Sequence, residues 1–236
     1  MNICIIGNSH VGALKRAWVL IGKNFPSINI TFFAHRGGMS NLRVSDNKLI
    51  PRDDQLLRSF KFTSDGLDNI DTSNYNLFLI YGGGLRPYFK QSNIFYSNQV
   101  IGCLFDDLNG DIETNKVLNL LRKVTNKQIF LGHDPLRSPK EMVDDMHTNA
   151  YEYESGINYM NENYYNKFSI TLVAQPLKTI LNGKFTHFKY SNNSERLAIG
   201  KRNDNHKHKN DNKHMNTEFG KVWLSDFLSS YINLKH

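Results

Sequence analysis

A serine stands at the end of the first apolar run of the chain, in the tetrapeptide "GNSH" at residues 7–10. The segment that follows, "VGALKRAWVLIG", has apolar residues at helical spacing, so Ser9 is expected on a turn between a strand and a helix. A serine in that position could attack a carbonyl carbon, because backbone N–H groups at the helix N-terminus would stabilise the developing negative charge. The same position suits a serine that merely caps the helix, and this segment alone does not separate the two interpretations.

A base and an acid that could orient it stand near the other end of the chain, in the segment "DNKHMNTEFG". A serine hydroxyl is weakly nucleophilic unless a base takes its proton, and that base needs a third group to hold its tautomer. Asp211 precedes His214 by three residues, just before a final helix that is predicted to start near Asn216. Because sites in open α/β sheets gather at the carboxyl edge of the strands, we expect Ser9, His214 and Asp211 to converge there.

The glycines around Ser9 do not form a nucleotide-binding loop. A P-loop requires a lysine and then a hydroxyl residue directly after its second glycine. Here Ala13 and Leu14 follow Gly12. The dinucleotide-binding pattern fails as well, because it requires a glycine at the position of Ser9. The sequence therefore excludes both phosphate-binding motifs.

Five short apolar runs alternate with helical patterns, which is typical of a parallel sheet covered by helices on both faces. The predicted fold class is α/β, a three-layer α/β/α sandwich with a five-stranded parallel sheet. The runs are "NICII" (2–6), "INITFF" (28–33), "LFLIY" (77–81), "QIFLG" (128–132) and "SITLV" (169–173).

Helical periodicity predicts helices after the first, third and fourth strands and near the end of the chain. The longest stripe, from Met142 to Tyr164, predicts one long helix or two that join near Gly156, with its tyrosines either in the core or on a sugar-stacking surface. Residues 41–75 are predicted as a polar connection with a short helix around "DDQLLRSF", and residues 191–213 as a loop. The residues that mark the other helices are Leu14, Trp18 and Ile21, then Val117, Leu120, Leu121 and Val124, and last Phe219, Trp223 and Phe227.

Length and composition indicate a single soluble domain over residues 1–236. The chain has 39% hydrophobic and 22% charged residues, and it contains no apolar run of the roughly 18 residues that a membrane span requires. We expect Cys4 and Cys103 to be buried free thiols. With no signal peptide recognised, we also expect a cytoplasmic protein. Nothing in the sequence sets the oligomeric state.

The net charge of +7 suggests an anionic partner, but the basic residues are dispersed except near the C-terminal third. No RNA-binding aromatic motif, zinc-finger spacing or basic helix accompanies them, so nucleic acid is not an expected partner. The charge suits an anionic substrate or a solvated surface loop.

The segments "GNSH" and "DNKH" together resemble the SGNH (GDSL-like) hydrolase superfamily. In that family the nucleophilic serine lies in a G-D-S or G-N-S motif directly after the first strand, which Gly7, Asn8 and Ser9 match. A late D-x-x-H motif matches Asp211 and His214. The resemblance spans most of the chain and implies the flavodoxin-like SGNH fold, with Ser9 as nucleophile, His214 as base and Asp211 as the residue that orients the base.

The resemblance also implies an oxyanion hole, which this chain matches only in part. The second block of the family supplies a backbone N–H after the second strand, for which Gly38 is the better match and Gly37 its rival. The Ser9 N–H is the other implied backbone donor. The third block carries an asparagine after the third strand, but here the segment is "GGG" at residues 82–84. Losing one such donor typically lowers the turnover rate by a factor of about 10²–10³.

Three groups are candidates to replace that asparagine: the N–H of Gly84, the side chain of Arg86 and the side chain of Asn41. His10, directly after the serine, is expected either at the mouth of the site as a substrate contact or as a helix-start residue without a catalytic role. The wider sequence before the D-x-x-H motif resembles free-standing bacterial SGNH proteins encoded with surface-polysaccharide functions. That resemblance implies a carbohydrate substrate.

The expected activity is hydrolysis or transfer of an O-acyl ester, most simply an acetyl ester on a carbohydrate, through a Ser-His-Asp triad. Hydrolysis requires no cofactor, whereas transfer requires a donor such as acetyl-CoA. The expected partner is an acylated carbohydrate or an acceptor carbohydrate. The alternative is a weak or inactive SGNH scaffold that acts as a glycan-binding or assembly protein.

No metal site is predicted. Imidazoles and carboxylates suit zinc or nickel, but the candidate ligands lie in a lysine-rich segment that would repel a cation. The residues concerned are Asp204, His206, His208, Asp211 and His214.

Two further polar clusters have simple structural interpretations. His133 and Asp134 follow the fourth strand and could form a second acid-base pair, although Asp-Pro more simply starts a turn. The acidic residues of "FDDLNGD" lack the later glutamate of a calcium loop, so a turn and a helix start are predicted. These residues are Asp106, Asp107 and Asp111.

Overall fold

The computed structural model describes residues 1–36, 38–91, 93–94, 96–139, 150–195 and 211–232. Its strands are β1 (Asn2–Gly7), β2 (Asn29–Ala34), β3 (Leu42–Ser45), β4 (Lys48–Pro51), β5 (Ile70–Asp71), β6 (Leu77–Tyr81), β7 (Ile129–Gly132), β8 (Ile170–Val173), β9 (Ile180–Leu181) and β10 (Phe185–Thr186). Its helices are α1 (Val11–Ile21), α2 (Asp54–Thr63), α3 (Asn98–Asn109), α4 (Glu113–Arg122), α5 (Tyr151–Met160) and α6 (Thr217–Tyr231).

Five strands form one parallel sheet in the order β2-β1-β6-β7-β8. These are the five apolar runs of the sequence, and each strand begins and ends within one residue of its run. Buried strands with apolar residues on both faces are expected of a sheet that helices cover from both sides. The predicted α/β fold with a five-stranded parallel sheet is therefore confirmed.

Alternation along each strand divides the apolar side chains between two cores, one on each face of the sheet. In β1, Ile3 and Ile5 contribute to the core beneath α1 and α6, whereas Cys4 and Ile6 contribute to the core beneath α2, α4 and α5. The helices thus form a layer on each face. The sheet between them is covered on both sides, which makes the three layers.

Close packing of α1 against α6 brings the two ends of the chain together. At Gly220, a Cβ atom would collide with the carbonyl oxygen of Ala13, so α6 lies nearly backbone to backbone on α1. Phe219 and Trp223 are buried in the same contact. Asn216 caps α6 by accepting the Phe219 N–H at 3.1 Å. The segment just before α6 is therefore held beside the start of α1, where Ser9 lies.

The polar connection between β2 and β6 contains more structure than the sequence predicts. Its helix, α2, covers the predicted "DDQLLRSF" and begins after Asp53, whose side chain accepts the Leu56 N–H. In addition, β3, β4 and β5 form a small antiparallel sheet that was not predicted. Asp46 takes a positive φ of 49° in the tight turn between β3 and β4.

The tyrosine-rich stripe forms α5, which runs through Gly156 without a break. A Cβ atom at Gly156 would collide with the carbonyl oxygen of Tyr88, so this glycine serves close packing and does not separate two helices. Tyr153, whose side chain is fully buried, belongs to the core. The start of the stripe, including Met142, lies outside the described residues.

Two smaller predictions also need correction. Cys4 is a buried free thiol as expected, but Cys103 is exposed on α3. Asp106 and Asp107 lie in the last turns of α3 and do not start a helix, while Asp111 stands in the turn before α4. No helix among the described residues is long and apolar enough to cross a membrane.

Candidate active site

Ser9 lies on the turn between β1 and α1, and the side chain of Asn8 shapes that turn. Asn8 Oδ1 accepts the His10 N–H at 3.0 Å. Asn8 also packs against Gly82, where a Cβ atom would lie 2.5 Å from the same oxygen. His10 occupies the N-cap position of α1, and no side chain caps the helix. The interpretation of Ser9 as the N-cap residue is therefore wrong, and its hydroxyl has a different partner.

Two hydrogen bonds link Ser9, His214 and Asp211 in series. Ser9 Oγ lies 2.9 Å from His214 Nε2, and His214 Nδ1 lies 2.7 Å from Asp211 Oδ2. Since an ionised carboxylate only accepts, His214 carries its hydrogen on Nδ1 and leaves Nε2 to accept from the serine hydroxyl. In this arrangement the imidazole can take a proton from Ser9.

The backbone of the Asp211–His214 turn fixes the carboxylate that faces the imidazole. Asp211 Oδ1 accepts the N–H groups of Lys213 at 2.9 Å and of His214 at 3.0 Å. Burial by itself would raise the pKa of Asp211, but these two hydrogen bonds and that of the imidazole outweigh it and hold the pKa below its usual range. The carboxylate is therefore ionised at neutral pH.

Other segments hold this turn in place. Ser138, in the loop after β7, donates its N–H to the carbonyl oxygen of Asn212 at 2.9 Å. Asn216 donates its backbone N–H to Tyr190 at 2.7 Å and its side-chain amide to the Asn192 carbonyl at 2.9 Å. The loop after β7 and the segment after β10 therefore both hold the turn that carries His214.

The imidazole of His10 lies directly beside that of His214, with ring centroids 5.1 Å apart. Its Nε2 is 3.8 Å from Asp134 Oδ1, and its Nδ1 is buried with no hydrogen-bond partner among the described residues. Burial lowers the pKa of His10 to about 4, although the carboxylate of Asp134 opposes the shift. His10 is therefore uncharged at neutral pH and adds no positive charge beside His214.

Gly38 lies in the loop after β2, in a conformation that only glycine tolerates well. Its φ is +101°, and a Cβ atom there would lie 2.9 Å from Glu113 Oε2. Its N–H donates to the His35 carbonyl at 3.4 Å, which is close to the limit for a hydrogen bond. Gly37 lies outside the described residues.

The Gly84 N–H, one of the three candidates to replace the missing asparagine, has a hydrogen-bond partner in this structure. This N–H donates to Asp134 Oδ1 at 3.2 Å, so it is already engaged. The cause is local geometry: Gly82, Gly83 and Gly84 all have positive φ, which turns the backbone after β6 toward the loop after β7.

The other two candidate donors lie at the surface. Asn41 is exposed, and its side-chain amide donates to the carboxylate of Asp53 before α2, so it is engaged as well. Arg86 is exposed in the loop after β6.

His133 and Asp134 do not form an acid-base pair. His133 is buried, with Nδ1 2.6 Å from the Asp134 carbonyl and Nε2 2.8 Å from the Tyr153 hydroxyl. The carboxylate of Asp134 instead faces Gly84 and His10. His133 is therefore part of a buried structural network.

The candidate metal ligands of the lysine-rich segment, namely Asp204, His206 and His208, lie outside the described residues. Within the described part of the chain, no group of three or more His, Cys, Asp or Glu side chains is placed to hold a metal ion. Asp211 and His214 are bonded to each other.

Three residues near the site were not singled out by sequence reasoning in the roles that the structure gives them. Glu113 and Thr114, in the first turn of α4, hydrogen bond to the loops after β2 and β6. Asp134 accepts from the loop after β6. A glutamate at the start of an amphipathic helix is a common helix-start feature, so the sequence carried no signal that Glu113 reaches another loop.

No family model matches the chain, and no curated protein matches it. Among solved structures, the chain is similar to the periplasmic domain of a lipopolysaccharide acetyltransferase from Salmonella ser. Paratyphi A. The two are 11% identical with a TM-score of 0.50, over 98% of this chain and 83% of that chain. This likeness supports the fold. A gut microbial diltiazem-metabolizing enzyme is 10% identical, with a TM-score of 0.37 over 75% of this chain and 37% of that chain.

Proposed function

We propose that this protein is a serine enzyme of the SGNH type that hydrolyses or transfers an O-acyl ester. The observation that carries the proposal is the series of hydrogen bonds from Ser9 Oγ to His214 Nε2 and from His214 Nδ1 to Asp211. A nucleophile, a base and an orienting carboxylate within hydrogen-bond reach of one another are the defining features of such chemistry.

In the proposed reaction, Ser9 Oγ attacks the acyl carbonyl carbon while His214 Nε2 takes the hydroxyl proton. The N–H groups of Ser9 and Gly38 stabilise the oxyanion of the tetrahedral intermediate. As the intermediate collapses, His214 returns the proton to the leaving alkoxide, which departs as an alcohol and leaves an acyl ester on Ser9. Water or a sugar hydroxyl then attacks that ester as His214 takes its proton. His214 returns this proton to Ser9 Oγ as the acid or the acylated sugar departs.

A carbohydrate is the proposed substrate class, as the acylated donor or as the acceptor. The structural likeness to a lipopolysaccharide acetyltransferase domain supports an acetyl group and a polysaccharide. A net charge of +7 favours an anionic glycan over a cationic one. Hydrolysis would need no cofactor, and transfer would need an acyl donor such as acetyl-CoA.

A glycan-binding scaffold without useful turnover is the second candidate. The observation that favours it is the hydrogen bond from the Gly84 N–H to Asp134, which leaves the third oxyanion position with neither an asparagine side chain nor an available backbone donor. The intact contact between Ser9 and His214 favours the enzyme.

Turnover of p-nitrophenyl acetate separates the two candidates. We expect the wild-type protein to release p-nitrophenol and Ser9→Ala to be slower by on the order of 10³-fold or more, because the nucleophile is gone. Ser229→Ala is the matched control, since Ser229 is exposed near the far end of α6. Equal rates in the wild type and in Ser9→Ala would reject the serine mechanism. Adding a sugar acceptor and following acetyl-sugar formation then distinguishes transfer from hydrolysis.

A further inference from the structure

The first turn of α4 touches both loops that flank the turn of Ser9. Thr114 Oγ1 donates to the Gly82 carbonyl at 2.6 Å, and the Thr114 N–H donates to the Gly83 carbonyl at 3.2 Å. Glu113 Oε2 accepts the N–H groups of Met39 at 3.1 Å and Ser40 at 2.9 Å, while Glu113 Oε1 accepts the Ser40 hydroxyl at 3.0 Å. Two adjacent residues therefore make five hydrogen bonds to two separate loops.

The strand order of the sheet places these contacts on both sides of Ser9. β1 lies between β2 and β6, so the loops after β2 and β6 lie on either side of the turn that carries Ser9. The first loop contains Gly38 and the second contains Gly82, Gly83 and Gly84. The start of α4 thus connects the two loops across the carboxyl edge of the sheet.

The contacts are too tight to be incidental. A Cβ atom at Gly38 would lie 2.9 Å from Glu113 Oε2, and one at Gly83 would lie 2.6 Å from Thr114 Oγ1. Thr114 is buried, and the side chain of Glu113 is only one-third exposed. The Glu113 carboxylate at the N-terminus of α4 is further stabilised by the helix dipole. Each loop is therefore fixed by its fit against α4 as well as by hydrogen bonds.

Rigid loops matter here because the family's asparagine donor is absent from this chain. No asparagine stands at position 84, and the Gly84 N–H is engaged by Asp134. The proposed donors are the N–H groups of Ser9 and Gly38. The Gly38 N–H makes only a long contact of 3.4 Å with the His35 carbonyl, and the directions of both N–H groups depend on loop conformation. Displacement of a group in the site by about 1 Å can lower the reaction rate roughly 10²-fold.

We propose that Glu113 and Thr114 are positioning residues that lock the loop of Gly38 and the loop of Gly82–Gly84 about Ser9, so that backbone donors alone form the oxyanion site. Glu113 acts on the loop of Gly38 through the N–H groups of Met39 and Ser40. Thr114 acts through Gly82 and Gly83. This inference rests on the proposed serine mechanism. It predicts that the two side chains affect stabilisation of the transition state more than binding of the ester.

Kinetics of Glu113→Ala, Glu113→Gln and Thr114→Val test the proposal with p-nitrophenyl acetate as substrate. We expect Glu113→Ala to lower kcat by about 10–100-fold while KM changes by less than about threefold. Glu113→Gln keeps an oxygen that can accept from Met39 and Ser40 and should restore most of the rate. Thr114→Val replaces the hydroxyl with a methyl group and removes its hydrogen bond to the Gly82 carbonyl, and we expect a smaller loss of kcat. Asn119→Ala is the control, because Asn119 is exposed on the same helix.

Inhibition by a compound that forms a tetrahedral adduct with serine distinguishes a positioning role from a purely structural one. Phenylboronic acid adds to an active serine and places an oxygen at the oxyanion position. Its inhibition constant should rise in Glu113→Ala by the factor by which kcat/KM falls, while the melting temperature of Glu113→Gln stays near that of the wild type. If Glu113→Ala does not fold, kcat/KM and the boronate inhibition constant are compared in Thr114→Val instead.

The possible failures are distinguishable. An active wild type with unchanged kcat and boronate affinity in Glu113→Ala and Thr114→Val would overturn the positioning role and leave the serine mechanism standing. Losses of kcat without a matching loss of boronate affinity would also overturn it. A folded wild type that neither turns over ester nor binds the boronate would overturn the serine mechanism and this inference together.

Discussion

His10 sits beside Ser9 with an imidazole that burial keeps uncharged. Burial lowers its pKa from 6.5 to about 4, against the opposing effect of Asp134. In the range between these two values, the unfolded chain binds a proton at His10 that the folded protein does not. The stability gained from the neutral imidazole is therefore complete above about pH 6.5 and is lost as the pH falls toward 4.

Replacing His10 with glutamine removes this titration and should flatten the response to acid. Between about pH 7 and about pH 4.5, we expect the free energy of unfolding to fall on the order of 2 kcal/mol further in the wild type than in His10→Gln. Urea unfolding at both pH values measures the difference. His35 and His133, whose pKa values burial also lowers, are present in both proteins and cancel. An equal acid response in the two proteins would contradict a buried neutral His10.

At the scale of single residues, the sequence could identify side chains whose chemical role requires a particular residue type at the end of a strand or next to a helix. Ser9, His214 and Asp211 were found in this way, and the structure brings them together. The direction of the Gly84 N–H could not be predicted, because it depends on three consecutive positive φ angles and on a carboxylate 50 residues away.

Among the elements, the contact of α1 with α6 links stability to the geometry of the site. Gly220 has no room for a side chain, because a Cβ atom would collide with the Ala13 carbonyl oxygen. The same helix begins just after the turn that carries His214. A shift of α6 away from α1 would therefore move the base relative to Ser9.

Gly220→Ala should lower the free energy of unfolding by on the order of 2 kcal/mol, because it overpacks this contact. We also expect slower ester turnover in the fraction that remains folded. Gly102→Ala is the matched control, since Gly102 lies in α3 with only the Tyr164 hydroxyl nearby, at 3.7 Å. That change should be neutral or stabilising by up to about 1 kcal/mol. Urea unfolding measures both variants, and equal stabilities of the two would contradict the close helix contact.

The elements that the sequence predicted well are those with a strong local signal. All five strands of the parallel sheet lie in predominantly apolar runs, and Phe219, Trp223 and Phe227 mark the buried face of α6. The sheet of β3, β4 and β5 escaped prediction because its strands have two to four residues and exposed positions such as Arg43 and Lys48. The sequence left open a break at Gly156, and the structure has none, because that glycine meets the distant Tyr88 backbone, which the local sequence does not reveal.

For the molecule as a whole, the parallel sheet explains how residues 205 positions apart in the chain meet at 2.9 Å. The loops after β1, β2, β6, β7 and β8 all leave the same edge of the sheet, and each contributes to or supports the site. The short segment before α6 supplies the base and the acid. Function therefore depends on the complete fold, since no single element carries more than a part of the site.

Reaction of the folded protein with a fluorophosphonate, followed by intact mass and peptide mapping, tests the proposed serine mechanism most directly. The probe phosphonylates a serine only when a base activates it and an oxyanion site accepts its oxygen. We predict one adduct per chain, located on Ser9, which is retained in Ser229→Ala and absent from Ser9→Ala. A folded wild-type protein that forms no adduct, or that forms one at another residue, would contradict the assignment of Ser9 as an activated nucleophile.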